Sequence, residues 1–206
     1  MQGNLLQTFV VQRRHRLYNM RMENEFANLI EKEKQAHVVY EGRIISLRND
    51  DIVLPDGRDA KREYVCHNGG ASVLAIDGEG FVYLVRQFRY PYREVLLEIP
   101  AGKLEKGEEA IVTAGRELQE ETGLTASSIA PLGLIYPTPG YTNENLYVFL
   151  ATDLKVSKMK LDDGEFLNVE KVPFLKLLSD VLDGKIRDGK TCYAVMKYAL
   201  LKGITL

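Results

Sequence analysis

Three glutamates, Glu117, Glu120 and Glu121, fall within five residues of one another, and Glu108 stands nine residues before the first of them. If the segment EEAIVTAGRELQEET is helical, Glu117 and Glu121 leave one face, Glu120 lies beside Glu121, and Arg116 is placed four before Glu120, where it can pair with it. Like charges at that spacing cost roughly a few tenths of a kcal/mol, and Gly115 inside a helix costs about 1 kcal/mol relative to Ala, so folding alone would not select this segment. A bound cation would, because it offsets the repulsion. Oxygen donors without His or Cys suit a hard divalent ion, Mg²⁺ or Mn²⁺, which takes one or two carboxylates together with waters and phosphate oxygens. The plainer alternative is a solvated acidic face with Arg116 in a surface ion pair.

Other chemistry-bearing residues lie on both sides of this segment. The strand-like run FVYLV delivers Arg86, Gln87 and Arg89 to its exit, and a guanidinium matches phosphate oxygens in a bidentate way. Glu98 closes the run VLLE just before IPAG. Downstream, Pro139 and Gly140 form a turn pair in YPTPGYTNE, with Glu144 after it, and Asp162, Asp163 and Glu165 crowd the turn LDDGEF. Acids in a turn are by themselves ordinary solvated residues. Tyr40, Tyr90, Tyr92 and Tyr141 are candidates to stack on a base, or simply to pack.

The elements that must hold these residues follow from periodicity. Ala110, Ile111, Ala114 and Leu118 recur three or four apart and form the stripe of the carboxylate helix expected to face a sheet. Before it, Phe26, Leu29 and Ile30 predict a short helix over EFANLIEKEKQ, from Glu25. The runs VVYEGRIISLRND, DIVLPDGR and KREYVCH alternate as antiparallel strands separated by Asn-Asp and Asp-Gly turns. ASVLAIDGEGFVYLVRQFRY predicts a hairpin turning at Asp77 to Gly80, and REVLLEIPAG a further buried strand stopped by Pro100. Strands resume in LGLIYPTPG, NLYVFLATDL and LNVEKVPF, and PFLKLLSDVLDG and CYAVMKYALLKG close the chain as helices. There is no internal repeat. The sum is a mixed α/β or α+β body, divided into a helical extension over 1–36, an antiparallel β unit over 37–67 and a main domain over 68–206.

The whole chain bounds the chemistry further. Its 206 residues, 45% of them hydrophobic, can build a core without staples. With 27 Lys and Arg against 29 Asp and Glu, the formal charge of −2 gives no reason to expect a nucleic-acid or membrane partner. No apolar run approaches the roughly 20 residues a membrane span needs. Cys66 and Cys192 lie far apart without a CxxC spacing, which fits a reducing, cytoplasmic setting. Residues 1–22 hold Arg13, Arg14, Arg16 and Arg21 and no acid before Glu23, a composition shared with organellar presequences. They are expected instead to pack on the body or on a partner.

The full spacing of the acidic segment is Gly102, five residues, Glu108, seven residues, Arg116-Glu117-Leu118, one residue, Glu120-Glu121, one residue, Gly123-Leu124. It resembles the Nudix box at every defining position. The resemblance implies a Nudix fold, a mixed β-sheet between helices, with the box as a loop, helix and loop that holds Mg²⁺ against a diphosphate. It assigns metal binding to Glu117, Glu120 and Glu121 and to the carbonyl of Ala101, and catalytic roles to Glu120, Glu121 and Arg116. Glu108 and Arg116 brace the loop, Gly102 opens it, and Gly123 suits a helix C-terminus.

RQFR, Glu98 and Pro139 at its offset from the box resemble the ADP-ribose pyrophosphatases within that family, although Thr138 replaces the more usual Ser. That likeness implies a nucleoside diphosphate sugar substrate bound near Arg86 or Arg89, Gln87, Glu98, Pro139, Gly140 and Glu144. It further implies Glu165 as an added metal ligand and Asp163 or Glu165 as general base, and a homodimer formed through the N-terminal β unit. The alternatives are a preference for GDP-mannose, and a catalytically silent module that senses a nucleotide. Such modules commonly lose a box carboxylate, and none is missing here.

Overall fold

A computed structural model describes residues 25 to 205 and divides the chain into two compact units, one reaching to Val65 and the other running from Cys66 onward. The expected packing of residues 1–22 and the start of the 1–36 extension lie outside the described residues. Of the helix expected over Glu25 to Gln35, a single 3₁₀ turn appears at Ala27–Leu29. Lys32–Gln35 form a strand instead, because KEKQ is exposed throughout and has no apolar face to bury as a helix.

The first unit is a four-stranded sheet. Strands β1 (Lys32–Gln35) and β2 (Val38–Glu41) pair antiparallel with successive parts of the long β3 (Ile45–Val53), and β4 (Asp59–His67) pairs with it as well. The turn between β3 and β4 closes through Leu54 N–H to Arg58 O at 2.8 Å, at the expected Asp-Gly signal.

The second unit is built on a seven-stranded mixed sheet in the order β11 (Leu167–Pro173), β6 (Phe81–Arg89), β5 (Gly70–Ile76), β10 (Leu146–Val156), β9 (Leu124–Ile135), with β7 (Glu94–Glu98) added to β6 and β8 (Ala101–Lys103) to β5. Its centre is β5 (Gly70–Ile76), all seven residues of which are buried, as a strand covered on both faces requires. It runs parallel to β10 (Leu146–Val156) and antiparallel to β6 (Phe81–Arg89) and β8 (Ala101–Lys103). The hairpin between β5 and β6 turns at Asp77 to Gly80 as expected, with Asp77 Oδ1 accepting the N–H groups of Glu79 and Phe81. The REVLLEIPAG segment is two strands rather than one: β7 (Glu94–Glu98) pairs with β6, and after Pro100 the chain switches partner as β8.

Alternation along β5 distributes the core. Ala71, Val73 and Ala75 pack with Ala114 and Leu118 of helix α1 (Ala110–Thr122), together with Leu124, Phe149 and Ala151. Leu74 and Ile76 face the other way, onto Phe174, Leu177, Leu178 and Val181 of α2 (Phe174–Leu182) and Ala194, Val195 and Ala199 of α3 (Gly189–Lys202). The sheet therefore lies between α1 and the pair α2 and α3. The α1 stripe differs from the expected one in a telling way: Ile111 is 38% exposed, whereas Thr113, Glu117 and Glu121 are buried beside Ala114 and Leu118. Two glutamates thus take the place of apolar residues on the covered face.

Candidate active site

Helix α1 is entered through the loop after β8 and left through Gly123, whose φ of 69° puts it in the left-handed region and whose N–H reaches Gln119 O at 2.9 Å. Burial on α1 leaves Glu117 9% and Glu121 3% exposed. Glu121 accepts the Ala101 N–H on Oε2 at 3.1 Å and meets no cationic side chain in a salt bridge among the described residues. Burial above all, then the neighbouring Glu117 carboxylate, pushes its pKa up to about 8. Burial also raises Glu117, against the pull of Arg116. A desolvated carboxylate such as Glu121, with no salt-bridge partner among the described residues, is the environment a divalent ion would relieve.

Arg116 is the brace of the loop. Its guanidinium donates to Glu117 Oε1 at 2.7 Å, Glu120 Oε2 at 2.8 Å, both oxygens of Glu108, and the Lys103 carbonyl at 3.3 Å. Glu108 in turn accepts the Glu105 N–H, and Arg116, the largest influence on it, holds its pKa down to about 2. Gly102 is fixed by contact rather than by a turn: a Cβ there would stand 1.7 Å from Glu117 Oε1. Any Cβ there would push the Glu117 carboxylate from its place against β8.

Two further loops are fastened to this helix and strand. The segment after β10 is strapped to the end of α1 by Ser157 N–H to Gly123 O at 2.7 Å, Lys160 N–H to Glu120 O at 3.1 Å, and Gln119 Nε2 to Ser157 Oγ at 3.1 Å. It leads into the turn where Glu165 N–H bonds Asp162 O and Glu165 Oε2 accepts the Asp162 N–H. Glu165 is near enough to Glu117 and Glu121 to raise the pKa of both, whereas Asp163 sits exposed on the turn. The loop carrying Pro139, Gly140 and Glu144 is held at the start of β5: Asn143 Oδ1 accepts the His67 N–H at 2.9 Å, Asn145 O accepts the Gly70 N–H at 2.9 Å, and Glu144 Oε1 lies 3.4 Å from His67 Nδ1. Since Gly70 and Ala71 also pair with Lys103 and Gly102, this loop and the box loop flank the same strand end.

The three residues expected at the exit of β6 separate. Strand pleating puts Gln87 and Arg89 on the face of Val85 and Tyr83, toward α1, and Arg86 on the opposite face. There Arg86 pairs with Glu170 and lines a pocket of about 360 Å³ with Leu97, Lys176, Asp180, Lys185 and Arg187. The two arginines expected near the diphosphate therefore leave opposite faces of β6, with Arg89 on the face toward α1. Glu98, expected to touch substrate, is 1% exposed and holds Arg89 in two bonds, 2.7 Å to Nε and 2.6 Å to Nη2. It also accepts the Lys190 ammonium, and although burial alone would raise its pKa, Arg89 and Lys190 bring it below the usual carboxylate range. In this fold the Glu98 carboxylate is thus shared between Arg89 and Lys190.

Sequence reasoning missed Lys190, and only its DGKT context at a helix start could have signalled it. Among the described residues, no three His, Cys, Asp or Glu side chains already converge as a closed cation cage. Arg116 spans Glu117 and Glu120 instead. The fit to a divalent ion rests on hard oxygen donors, on the buried Glu121 that has no salt-bridge partner among the described residues, and on the Gly102 cradle.

Comparison with known proteins adds the relationship. Residues 67–191 match the family described as NUDIX domain, and residues 34–65 the one described as nucleoside diphosphate sugar hydrolase N-terminal domain. An ADP-ribose pyrophosphatase of Bacillus subtilis (strain 168) is 43% identical over 177 residues, covering 85% of this chain and 95% of that protein. A methanol dehydrogenase activator of Bacillus methanolicus is 36% identical over 176 residues, covering 84% of this chain and 95% of its own length. A crystal structure of an ADP compounds hydrolase superposes with a TM-score of 0.70 at 19% identity, covering 86% of this chain and 98% of that one.

Proposed function

This chain belongs to the Nudix hydrolase family, and from that premise we propose that it cleaves the pyrophosphate bond of ADP-ribose or a related nucleoside diphosphate sugar with Mg²⁺. The products are a nucleoside monophosphate and a sugar phosphate. The observation that carries the proposal is Glu121, a buried carboxylate with no salt-bridge partner among the described residues, on the same helix face as Glu117.

Glu117, Glu120, Glu121 and the Ala101 carbonyl would hold the ion, with Glu165 as a further ligand; Mn²⁺ offers the same oxygen preference. Bound there, a divalent ion neutralises diphosphate oxygens and acidifies a water. The side chains do the rest. Arg116 keeps Glu117 and Glu120 aimed and Glu108 ties that brace to the loop. Glu165, which faces the box electrostatically, accepts the proton of the attacking water, ahead of the more exposed Asp163. Arg89 presents the guanidinium edge that Glu98 leaves free to a substrate phosphate, beside Gln87. Pro139, Gly140 and Glu144 line the loop at the start of β5, toward the sugar or nucleoside end.

We also propose a homodimer through the first unit, which exposes Val38, Val39, Tyr40, Ile44 and Ile45. The free thiols of Cys66 and Cys192 suit a cytoplasmic setting. Among the described residues no helix is long and apolar enough to cross a membrane.

A turnover panel of ADP-ribose, GDP-mannose and other nucleoside diphosphate sugars with Mg²⁺ tests the activity. Release of a nucleoside monophosphate from at least one, fastest for ADP-ribose, is expected. Saturable binding of these compounds without any release would point to a sensing module instead.

A further inference from the structure

Lys190 stands at the second position of α3, where a cation opposes the positive end of the helix dipole, and its side chain is only 10% exposed. A helix start needs no such residue. Asp188 already caps α3 by accepting the Thr191 N–H at 3.0 Å, and the Thr191 hydroxyl donates to the same carboxylate. A buried ammonium in the first turn is therefore a local departure that something else must stabilise. Two acids do so: Asp188 Oδ1 at 2.9 Å and the buried Glu98.

The same helix start is stapled to the strand end that feeds the site. Thr191 Oγ1 accepts the Ile99 N–H at 2.9 Å, directly after Glu98 and two residues before Ala101, which bonds Glu121. Glu98 uses both oxygens on Arg89, taking its Nε and Nη2, so the guanidinium plane is set by where Glu98 is held. Among the described residues no hydrogen bond takes the Nη1 edge, on the α1 face of β6. Arg89 and Lys190 both bear electrostatically on Glu121, so the network adjoins the box carboxylates rather than a remote surface.

We propose that Lys190 is a positioning residue for substrate binding: through Glu98 it fixes the Arg89 guanidinium so that its free edge meets an anionic oxygen of the nucleoside diphosphate. This rests on the hydrolase reading given above and adds to it a residue on α3 that touches no substrate. Without the ammonium, Glu98 keeps Arg89 as its cation but loses the second anchor, and the guanidinium plane is free to follow it.

The test is a double-mutant cycle on ADP-ribose hydrolysis with Lys190→Met, Arg89→Ala and both together. Lys190→Met is expected to raise KM about tenfold with a smaller change in kcat, within the 10–100-fold range seen when an outer partner of a site residue is removed. In the Arg89→Ala background the same change is expected to add little. Lys190→Gln, which keeps a donor toward Glu98 but no charge, serves the cycle if the Met variant lacks a cooperative melting transition. An unaltered KM in a folded Lys190 variant, or effects of the two sites that multiply, would overturn the proposal. Absence of turnover in the wild-type chain would instead overturn the hydrolase reading itself.

Discussion

Glu121 is the residue on which the site's electrostatics turn. Its folded pKa of about 8, raised first by burial, lies above the ordinary carboxylate value, so the metal-free fold gains stability from its protonated form below pH about 4.5 and loses that gain as pH rises through about 8. A divalent ion must displace this proton below pH 8 and meets a ready carboxylate above it. Thermal stabilisation by Mg²⁺ should thus be small at pH 6 and grow toward pH 9, and Glu121→Gln should flatten the trend; a Mg²⁺ shift in melting temperature that does not depend on pH would contradict this. Gly102→Ala places a methyl against Glu117 Oε1. It should lower kcat/KM about 10–100-fold, by displacing the carboxylate, with a stability loss of about 1–3 kcal/mol in denaturant titration. At this scale the spacing of Glu117, Glu120, Glu121 and Arg116 was legible in the sequence, since helix periodicity alone aligns them. The reason for Gly102 was not, because the contact crosses from β8 to α1. Nor was the Arg89, Glu98 and Lys190 network, whose members are brought together only by the fold.

Among the elements, those whose pattern is set by neighbouring residues were legible and those set by pairing were not. The carboxylate helix, the hairpin at Asp77 to Gly80 and the two closing helices follow from periodicity and turn residues. Lys32–Gln35 and β8 are strands because β3 and β5 offer them partners, which local propensity does not record. The pleat of β6 likewise separates Arg86 from Arg89, although both lie in RQFR. The strap after β10 is an element-scale device as well: it depends on the end of α1 being where Gly123 puts it. Gly123→Ala meets the left-handed φ of 69° and brings a Cβ to 3.1 Å from Met159 N. A cost of about 1–2 kcal/mol is expected, or roughly 2–8 °C in melting temperature, together with a fall in kcat as Glu165 shifts from the box; full activity in that variant would argue against the strap.

For the whole molecule, the order of strands around one acidic helix indicated the mixed architecture. The boundary between the two units, at Val65 and Cys66, falls within β4. The proposed homodimer predicts a solution mass by light scattering of twice the 23.3 kDa chain, and a monomer at micromolar concentration would contradict it. The hydrolytic centre itself is tested most directly by one paired measurement: nucleoside monophosphate released from ADP-ribose by the wild-type chain and by Glu121→Gln, each with Mg²⁺ and with excess chelator. Wild-type turnover should require the metal and fall by about 100-fold or more in the variant, beyond what loss of an outer partner causes. Equal turnover by the two proteins would contradict a metal-assisted reaction at the Glu117 and Glu121 face.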